Sequence, residues 1–264
     1  MASSAEFVKK LKSHEIVFGS WVQIPHPIVA EVMALGGMDF LVVDGEHGPI
    51  PASMLIDILP GTDKHGTAVI YRVPWNRPEY FKAALDAGAR GLMVPMVNSP
   101  AEAAEAVSFA KYPPTGTRGS GAWRASTYYR DDAAYRATAN ADTVLILQIE
   151  TGEAVDAVDA IAATPGIDAL FIGTGDLALS LGIEPGKPHP KLMAACEAVA
   201  AAAKKYGIVA GIVAGSPDNL PQYLEMGFRL FMHGVDIDHL LQAGRRTSQS
   251  LREKAATVKL PPNG

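Results

Sequence analysis

The sequence predicts a single (β/α)8 barrel of the TIM type with a long C-terminal helix, and three observations predict it. The first is length, because 264 residues is long for one simple core and close to the ~250 residues of one such barrel. The second is a recurring phrase: a helix-like segment, a glycine, then a short apolar run. Met33-Ala34-Leu35-Gly36-Gly37 precedes Phe40-Leu41-Val42-Val43, and Ala84-Leu85-Asp86-Ala87-Gly88 precedes Gly91-Leu92-Met93-Val94. Lys204-Lys205-Tyr206-Gly207 before Ile208-Val209-Ala210, and Leu224-Glu225-Met226-Gly227 before Leu230-Phe231-Met232, repeat it. Glycine adopts the left-handed conformation that ends a helix, and the unbroken apolar run behind it is a strand buried on both faces. The third is the count: strands start near Val17, Asp39, Thr67, Gly91, Thr143, Asp168, Ile208 and Arg229, and eight is the number that closes a barrel. An open doubly wound sheet competes with this reading, but no Gly-x-Gly-x-x-Gly turn follows any strand; Gly173-Thr174-Gly175-Asp176 has only two of those glycines.

In chain order, residues 1–14 form an N-terminal helix. Ser3 and Glu6 have capping-box spacing, and the basic amphipathic turn Phe7-Val8-Lys9-Lys10-Leu11-Lys12 reads as a short surface helix, without the apolar core of a signal peptide. The strand–helix units follow. Two connections are longer than the rest, residues 111–142 and 183–190, both rich in proline and glycine. They read as leaving the C-terminal ends of the fourth and sixth strands, the face where barrels keep their chemistry. Residues 236–256 form a long polar helix and 257–264 a loose tail. No linker interrupts the chain, so residues 1–264 read as one domain.

Composition sets the outer limits. At 48% hydrophobic and 19% charged residues the chain is an ordinary globular protein. A net charge of −5 argues against a nucleic-acid partner, since phosphate binding needs a basic face. No run approaches the roughly 18 apolar residues of a membrane span. Cys196 is the single cysteine; it has no disulfide partner and reads as a packing residue in an alanine-rich helix. Together these predict a cytoplasmic enzyme.

The polar residues behind the apolar runs carry the chemistry. Asp44-Gly45-Glu46-His47 follows the second run, Arg72 the third, Gln148-Ile149-Glu150 the fifth and Gly173-Thr174-Gly175-Asp176 the sixth. In a barrel these ends meet on one rim. Each has a plain structural reading: an acid after a strand usually caps a helix, an arginine there usually makes a surface ion pair, and His47 could be a satisfied loop histidine. All of those readings would have to hold together, and the combination favours a site. Glu150 and Asp176 suit a hard divalent cation, with water and substrate oxygens completing its shell. No Cys cluster or His-x-x-x-His pair offers a structural zinc site, and no lysine among these residues offers a Schiff base. Thr174-Gly175-Asp176 reads as the first turn of a helix whose free N–H groups could hold a carboxylate. Glycine at 175 permits close approach of a ligand to the backbone. Trp21, Trp123, Val213 and His233 are candidates for the wall of a substrate pocket, with ordinary rim packing as the alternative.

These stretches resemble the HpcH/HpaI family of metal-dependent class II pyruvate aldolases, which act on 4-hydroxy-2-oxo acids. The likeness is carried by Phe40-Leu41-Val42-Val43-Asp44-Gly45-Glu46-His47, Arg72-Val73-Pro74, Leu85-Asp86-Ala87-Gly88-Ala89 and Val94-Pro95-Met96-Val97-Asn98. Tyr112-Pro113-Pro114-x-Gly116-x-Arg118-Gly119, Gln148-Ile149-Glu150-Thr151 and Phe171-Ile172-Gly173-x-x-Asp176-Leu177 continue it, over nearly the whole barrel. The resemblance implies a divalent metal, Mg²⁺, Mn²⁺ or Co²⁺, at Glu150 and Asp176, chelated by a 2-keto acid. It implies His47 as the base, acting through a metal-bound water, and Arg72 as the stabiliser of an enolate. Gln148, Gly173, Thr174, Gly175 and Asp176 would contact the substrate. An acid at Asp86 from a neighbouring subunit would raise the basicity of His47, with Asp44 as the nearer competitor for orienting it. A homo-oligomer, a hexamer in the family, is implied, as are pyruvate or hydroxypyruvate and an aldehyde as small-molecule partners. Many members have proline where this chain has Thr174, a small non-glycine residue where it has Gly175, and asparagine where it has Ile50; these departures bear on substrate fit. The expected reaction is reversible cleavage of a 4-hydroxy-2-keto acid. A decarboxylase, a CoA-thioester lyase and a catalytically silent keto-acid-binding barrel are the alternatives.

Overall fold

In a computed structural model that describes residues 4–258, the eight apolar runs are eight parallel strands, paired in sequence order and closed into a barrel. They are β1 (Val17–Val22), β2 (Phe40–Asp44), β3 (Ala68–Arg72), β4 (Gly91–Val94), β5 (Val144–Ile149), β6 (Ala169–Ile172), β7 (Val209–Val213) and β8 (Leu230–Val235). Each starts within one residue of its predicted position. The four glycines of the recurring phrase, Gly37, Gly88, Gly207 and Gly227, all have positive φ, from +68° to +106°. The helix stop is therefore a backbone requirement, as the pattern implied.

Side chains on a strand alternate between faces, and this sorts the core into two layers. Phe40, Val42, Ile70, Met93, Ile146, Phe171, Leu230 and Met232 fill the interior, while Leu41, Val43, Val69, Leu92, Leu145, Leu170 and Ile212 pack outward under the helices. Glycine is required where large interior residues cross: a Cβ on Gly19 would lie 2.5 Å from the Phe40 ring.

The N-terminal helix Ser4–Lys12 is more than the surface helix expected, and the expected capping residue Ser3 lies outside the described residues. Phe7, Val8 and Leu11 are buried in the interior cluster, and the Phe7 ring lies 5.0 Å from that of Phe40. Their i, i+1, i+4 spacing forms one apolar face, which plugs the end of the barrel away from the strand C-termini.

The connection at 111–142 also departs from expectation. The helix Pro100–Ala110, capped by Ser99, follows β4 directly, so the irregular segment begins only after the chain has returned to the opposite end of the barrel. There Arg124 donates to the carbonyl of Ala87 and Lys111 to that of Thr143, and residues 132–142 are themselves a helix. The alanine-rich run at 100–110 carries a helix signal that proximity to the proline-rich motif hid. Residues 183–190 do lie on the rim side, between the helices Thr174–Ser180 and Pro190–Tyr206. Cys196 is buried in the latter helix, and burial pushes its thiol up to about 12, which leaves it unreactive.

The C-terminal helix Asp236–Ala256 is fixed only at its root, where buried Asp236 accepts from the amides of Gln23, Ile24 and Ile237. Beyond it, Ile237, Leu240, Leu241 and Leu251 are 47–68% exposed. The expected tail at 257–264 falls mostly outside the described residues, since 259–264 are not among them. Among the described residues no helix is long and apolar enough to cross a membrane.

Candidate active site

Alternation that fills the lower barrel with apolar side chains puts polar ones at its mouth. Phe40 and Val42 lead to Asp44, Ile70 to Arg72, Ile146 to Gln148 and Glu150, and Phe171 to Gly173. These residues meet at the C-terminal end of the strands around a cavity of about 250 Å³, lined by Trp21, Arg72, Gln148, Gly173, Thr174, Gly175 and Asp176 among others. A larger cleft of about 360 Å³ lies at the opposite end, along Asp63, Arg90, Arg124 and Tyr128. It has an Arg124–Asp63 contact at 3.5 Å but no converging set of acids, so the smaller cavity is the candidate site.

One wall is built on Asp44 and Arg72, which register opposite each other on β2 and β3. The guanidinium gives Nε to Oδ1 of Asp44 at 2.9 Å and Nη2 to Oδ2 at 2.8 Å, a two-point fork. Asp44 also accepts from Gln23 Nε2 at 2.8 Å and from the amides of Glu46 and His47 at 3.1 Å. Burial opposes its charge, but the Arg72 fork, Gln23 and the His47 amide outweigh it and hold the carboxyl below its usual range. Nη1 of Arg72 pairs with Glu46 Oε2 at 3.0 Å, and the Trp21 ring lies 4.1 Å from its guanidinium carbon. Arg72 is thus fixed from three sides, yet only its Nε and one Nη2 N–H are hydrogen-bonded, which leaves donors for a ligand.

The facing wall is Glu150 and Asp176. Glu150 is buried; its Oε1 accepts from the Met96 amide at 2.7 Å and its Oε2 from Gln148 Nε2 at 3.1 Å. Burial first, then the charges of Glu46 and Asp176, push its carboxyl up to about 7. Gly173 makes this packing possible, because a Cβ there would lie 2.4 Å from Glu150 Oε2. Asp176 projects from the first turn of the helix Thr174–Ser180, whose N-cap is Gly173, so it is not the capping acid it could have been. Gly175 has open space at its Cβ position, toward the cavity.

This donor set fits a divalent cation. Acids crowd together, Glu150 carries a raised pKa, and the buried carbonyl oxygen of Gln148 has no hydrogen-bond partner. Among the described residues no group of three or more His, Cys, Asp or Glu forms a metal site. A cation here would therefore draw its remaining ligands from water and substrate, as hard cations commonly do.

The fold thus brings together Asp44, Arg72, Gln148, Glu150, Gly173, Thr174, Gly175 and Asp176. His47 stands at the edge, its side chain 59% exposed and its Nε2 3.9 Å from Glu46 Oε2. Asp44 holds the backbone of His47 rather than its ring. Asp86 is elsewhere, paired with Arg118 at 2.9 Å. Of the proposed wall residues, Trp21 and Val213 line the cavity; Trp123 sits on the far loop, and His233 lies outside the lining with its Nδ1 2.7 Å from the carbonyl of Ala214. Sequence reasoning passed over Glu46, quoted only as part of a motif, and Gln23. Gln23 follows an apolar strand end, the same signal that found Arg72.

The sequence profile of the HpcH/HpaI aldolase/citrate lyase family matches residues 18–243. The chain belongs to this family. A 5-keto-4-deoxy-D-glucarate aldolase of Klebsiella pneumoniae is 34% identical over 248 residues, 94% of this chain and 97% of the relative. The aldolase of the same description from Salmonella paratyphi A is 36% identical over 94% of this chain and 95% of its own. Among solved structures, an HpcH/HpaI aldolase/citrate lyase family protein from Burkholderia cenocepacia superposes with a TM-score of 0.87 at 37% identity, covering 94% of this chain and 99% of that one. This HpcH/HpaI member is accordingly a carbon–carbon lyase on a (β/α)8 barrel.

Proposed function

We propose that this lyase reversibly cleaves a 4-hydroxy-2-keto acid to pyruvate, or a close analogue such as hydroxypyruvate, and an aldehyde, with a divalent cation held by Glu150 and Asp176. The observation that carries this reading is one small cavity with a fixed guanidinium, Arg72, on one side and a crowded acid pair on the other. Such a site matches a substrate that is anionic, chelating, and gains negative charge on a single oxygen as it reacts. The substrate in the relatives' names, 5-keto-4-deoxy-D-glucarate, has a hydroxyl two carbons from its keto group, and it is the first compound to test.

When bound, the cation supplies Lewis-acid polarisation of the keto group. The chain's own residues do the rest. The spare N–H groups of Arg72 hold the keto oxygen as charge builds on it. Gln148 and the backbone at Gly175 border the carboxylate end of the substrate. In cleavage, His47 takes the proton of the C4 hydroxyl. The C3–C4 bond then breaks, its electron pair passes to C3 as the enolate of pyruvate, and the aldehyde leaves. Protonation at C3 completes the turnover, and in the condensing direction His47 takes that C3 proton instead. The expected result is aldehyde-dependent consumption of pyruvate and, in reverse, release of pyruvate from the hydroxy-keto acid. Carbon dioxide release without aldehyde dependence, or turnover only with a CoA thioester, would replace this reading with a decarboxylase or a thioester lyase.

The active unit in this reading is a homo-oligomer. Asp86 lies in the last turn of the helix Pro78–Ala87, which returns the chain to the end of the barrel opposite His47. The resemblance pairs the two residues, and a neighbouring copy reconciles that with the fold. Two apolar surfaces support the assembly. The C-terminal helix exposes its leucines, and Ile28, Val32 and Leu35, at helical spacing on the helix Pro27–Leu35, are 58–63% exposed, faces that a neighbouring copy would cover. Inactive His47→Ala chains mixed with weakened Asp86→Asn chains, then dissociated and reassembled, should regain activity above the sum of the parents. Activity no higher than that sum, despite proven subunit exchange, would show that no site is shared.

A further inference from the structure

The motif Tyr112-Pro113-Pro114-x-Gly116-x-Arg118-Gly119 belongs to the resemblance, yet it lies at the far end of the barrel from the active site and nothing in the mechanism uses it. What it builds is the surroundings of Asp86. An acid in the last turn of a helix faces the negative end of the helix dipole, and this one is also largely buried, its side chain 13% exposed. Both features disfavour its charge, so the fold must supply a counter-ion if Asp86 is to act as a carboxylate. Arg118 is that counter-ion. Its side chain is 1% exposed, and its Nη2 donates to Asp86 Oδ1 at 2.9 Å. The Tyr112 ring lies 4.6 Å from its guanidinium carbon and that of Tyr135 5.7 Å.

The pairing is one-sided. Arginine and carboxylate commonly meet through two parallel hydrogen bonds, but here one nitrogen holds one oxygen. Nε and Nη1 of Arg118 are buried without hydrogen-bond partners, as is the Tyr112 hydroxyl. Among the described residues, Oδ2 of Asp86 accepts no hydrogen bond, and it lies toward Gly121, where a Cβ would stand 3.7 Å from it. The pair therefore leaves one carboxylate oxygen facing outward beside a residue with no side chain, free for a further donor. Further along the same loop, Trp123, Tyr128 and Tyr129 are 40–58% exposed, and Thr127, Tyr128 and Tyr129 are all held at positive φ. That is a strained aromatic surface of the kind that contacts partners.

We propose that Arg118 is a positioning residue: it fixes Asp86 so that the free Oδ2 is offered across a subunit contact to His47 of a neighbouring copy. The proposal rests on the shared-site reading above and adds the group that makes Asp86 usable. The charged and titratable groups around Asp86 and its counter-ion are Arg118 and Tyr112 from the loop, Tyr135 and Asp132 from the helix Asp132–Asp142, Lys82 one turn earlier on its own helix, and Arg124, which donates to the adjacent Ala87 carbonyl. Burial raises the Asp86 pKa, and Arg118 followed by Lys82 lowers it. Removing Arg118 should therefore leave Asp86 protonated to higher pH.

The test is the pH profile of kcat/KM for the assembled, metal-loaded enzyme. Arg118→Met should move the acid limb up by about one pH unit or more, within the range of a lost neighbouring charge, and Arg118→Lys should return most of that shift. In the Asp86→Asn background, itself impaired, Arg118→Met should move the limb no further and change the rate by less than about twofold. If the Met variant does not fold, Tyr112→Leu, which frees the guanidinium without removing it, should shift the limb in the same direction and only when Asp86 is present. An unmoved limb with equal losses in both backgrounds would make Arg118 a loop brace and overturn the proposal, while the shared site stood. A wild-type rate and profile for Asp86→Asn would instead remove the shared site, and this proposal with it.

Discussion

Stripping the divalent cation, or removing its two carboxylates, is expected to abolish turnover by at least about 10³-fold, with Mg²⁺, Mn²⁺ or Co²⁺ restoring the stripped wild-type enzyme. Lewis-acid stabilisation is worth several kcal/mol, and each 1.4 kcal/mol is about tenfold in rate. Arg72 alone would not make up the loss: it already shares its charge with Asp44 and Glu46, and the described residues place no lysine in the cavity lining. The Glu150→Gln/Asp176→Asn variant should fold, since amides fill the same space, and should remain inactive at any cation concentration. The pH dependence of binding follows from Glu150. Its carboxyl is raised to about 7, by burial first and then by Glu46 and Asp176, so below that pH the cation must displace a proton. Affinity should fall about tenfold per pH unit below neutrality and level off above it, the signature of a single displaced proton. Calorimetric titration of Mn²⁺ on either side of neutrality reads this directly. Full activity of the double variant in chelator would remove the metal from the mechanism, and a pH-independent affinity would remove Glu150 from the ligand set.

The second large effect is at His47. Replacing it with alanine should slow exchange of the pyruvate C3 protons with solvent by about 10²–10⁴-fold, the ordinary contribution of a general base, while cation affinity is retained. The two effects separate because His47 and the acid pair are held independently. The His47 backbone hangs on Asp44, whereas Glu150 is held by the Met96 amide and Gln148. Its imidazole is 59% exposed and makes only a 3.9 Å contact with Glu46, so its loss should leave the melting temperature nearly unchanged. Proton exchange at the wild-type rate in His47→Ala would transfer the base role to another group, and Glu46, 3.9 Å from the imidazole, would be the first to examine.

Much of the site could be read from sequence because one rule links strand and site. A β-strand alternates faces, so the first polar residue after an inward apolar series points into the mouth of the barrel. That rule found Asp44, Arg72, Gln148 and Glu150, whose inward neighbours are Val42, Ile70 and Ile146. It had equal hold on Gln23 and none on Glu46, which lies in the loop beyond β2 and is placed by its ion pair with Arg72. It also misled at 111–142, where a loop rich in functional-looking residues was put on the wrong end of the barrel because one alanine-rich helix before it was not counted.

By itself the sequence pointed to the barrel and the rim residues, since glycine stops and apolar runs are local signals and eight such runs are the number that closes a barrel. Only the tertiary structure decided how those residues share their bonds. Asp44 spends itself on Arg72 and the His47 backbone, Gly173 is required by a contact with Glu150, and Asp86 meets Arg118, 32 positions away, instead of His47. Such pairings depend on distances between segments that the chain brings together only when it closes, and no periodicity in the sequence encodes them. The same holds for the N-terminal helix. Its apolar face was visible in the spacing of Phe7, Val8 and Leu11, but the surface that face covers, the floor of the barrel at Phe40, exists only once all eight strands are in place.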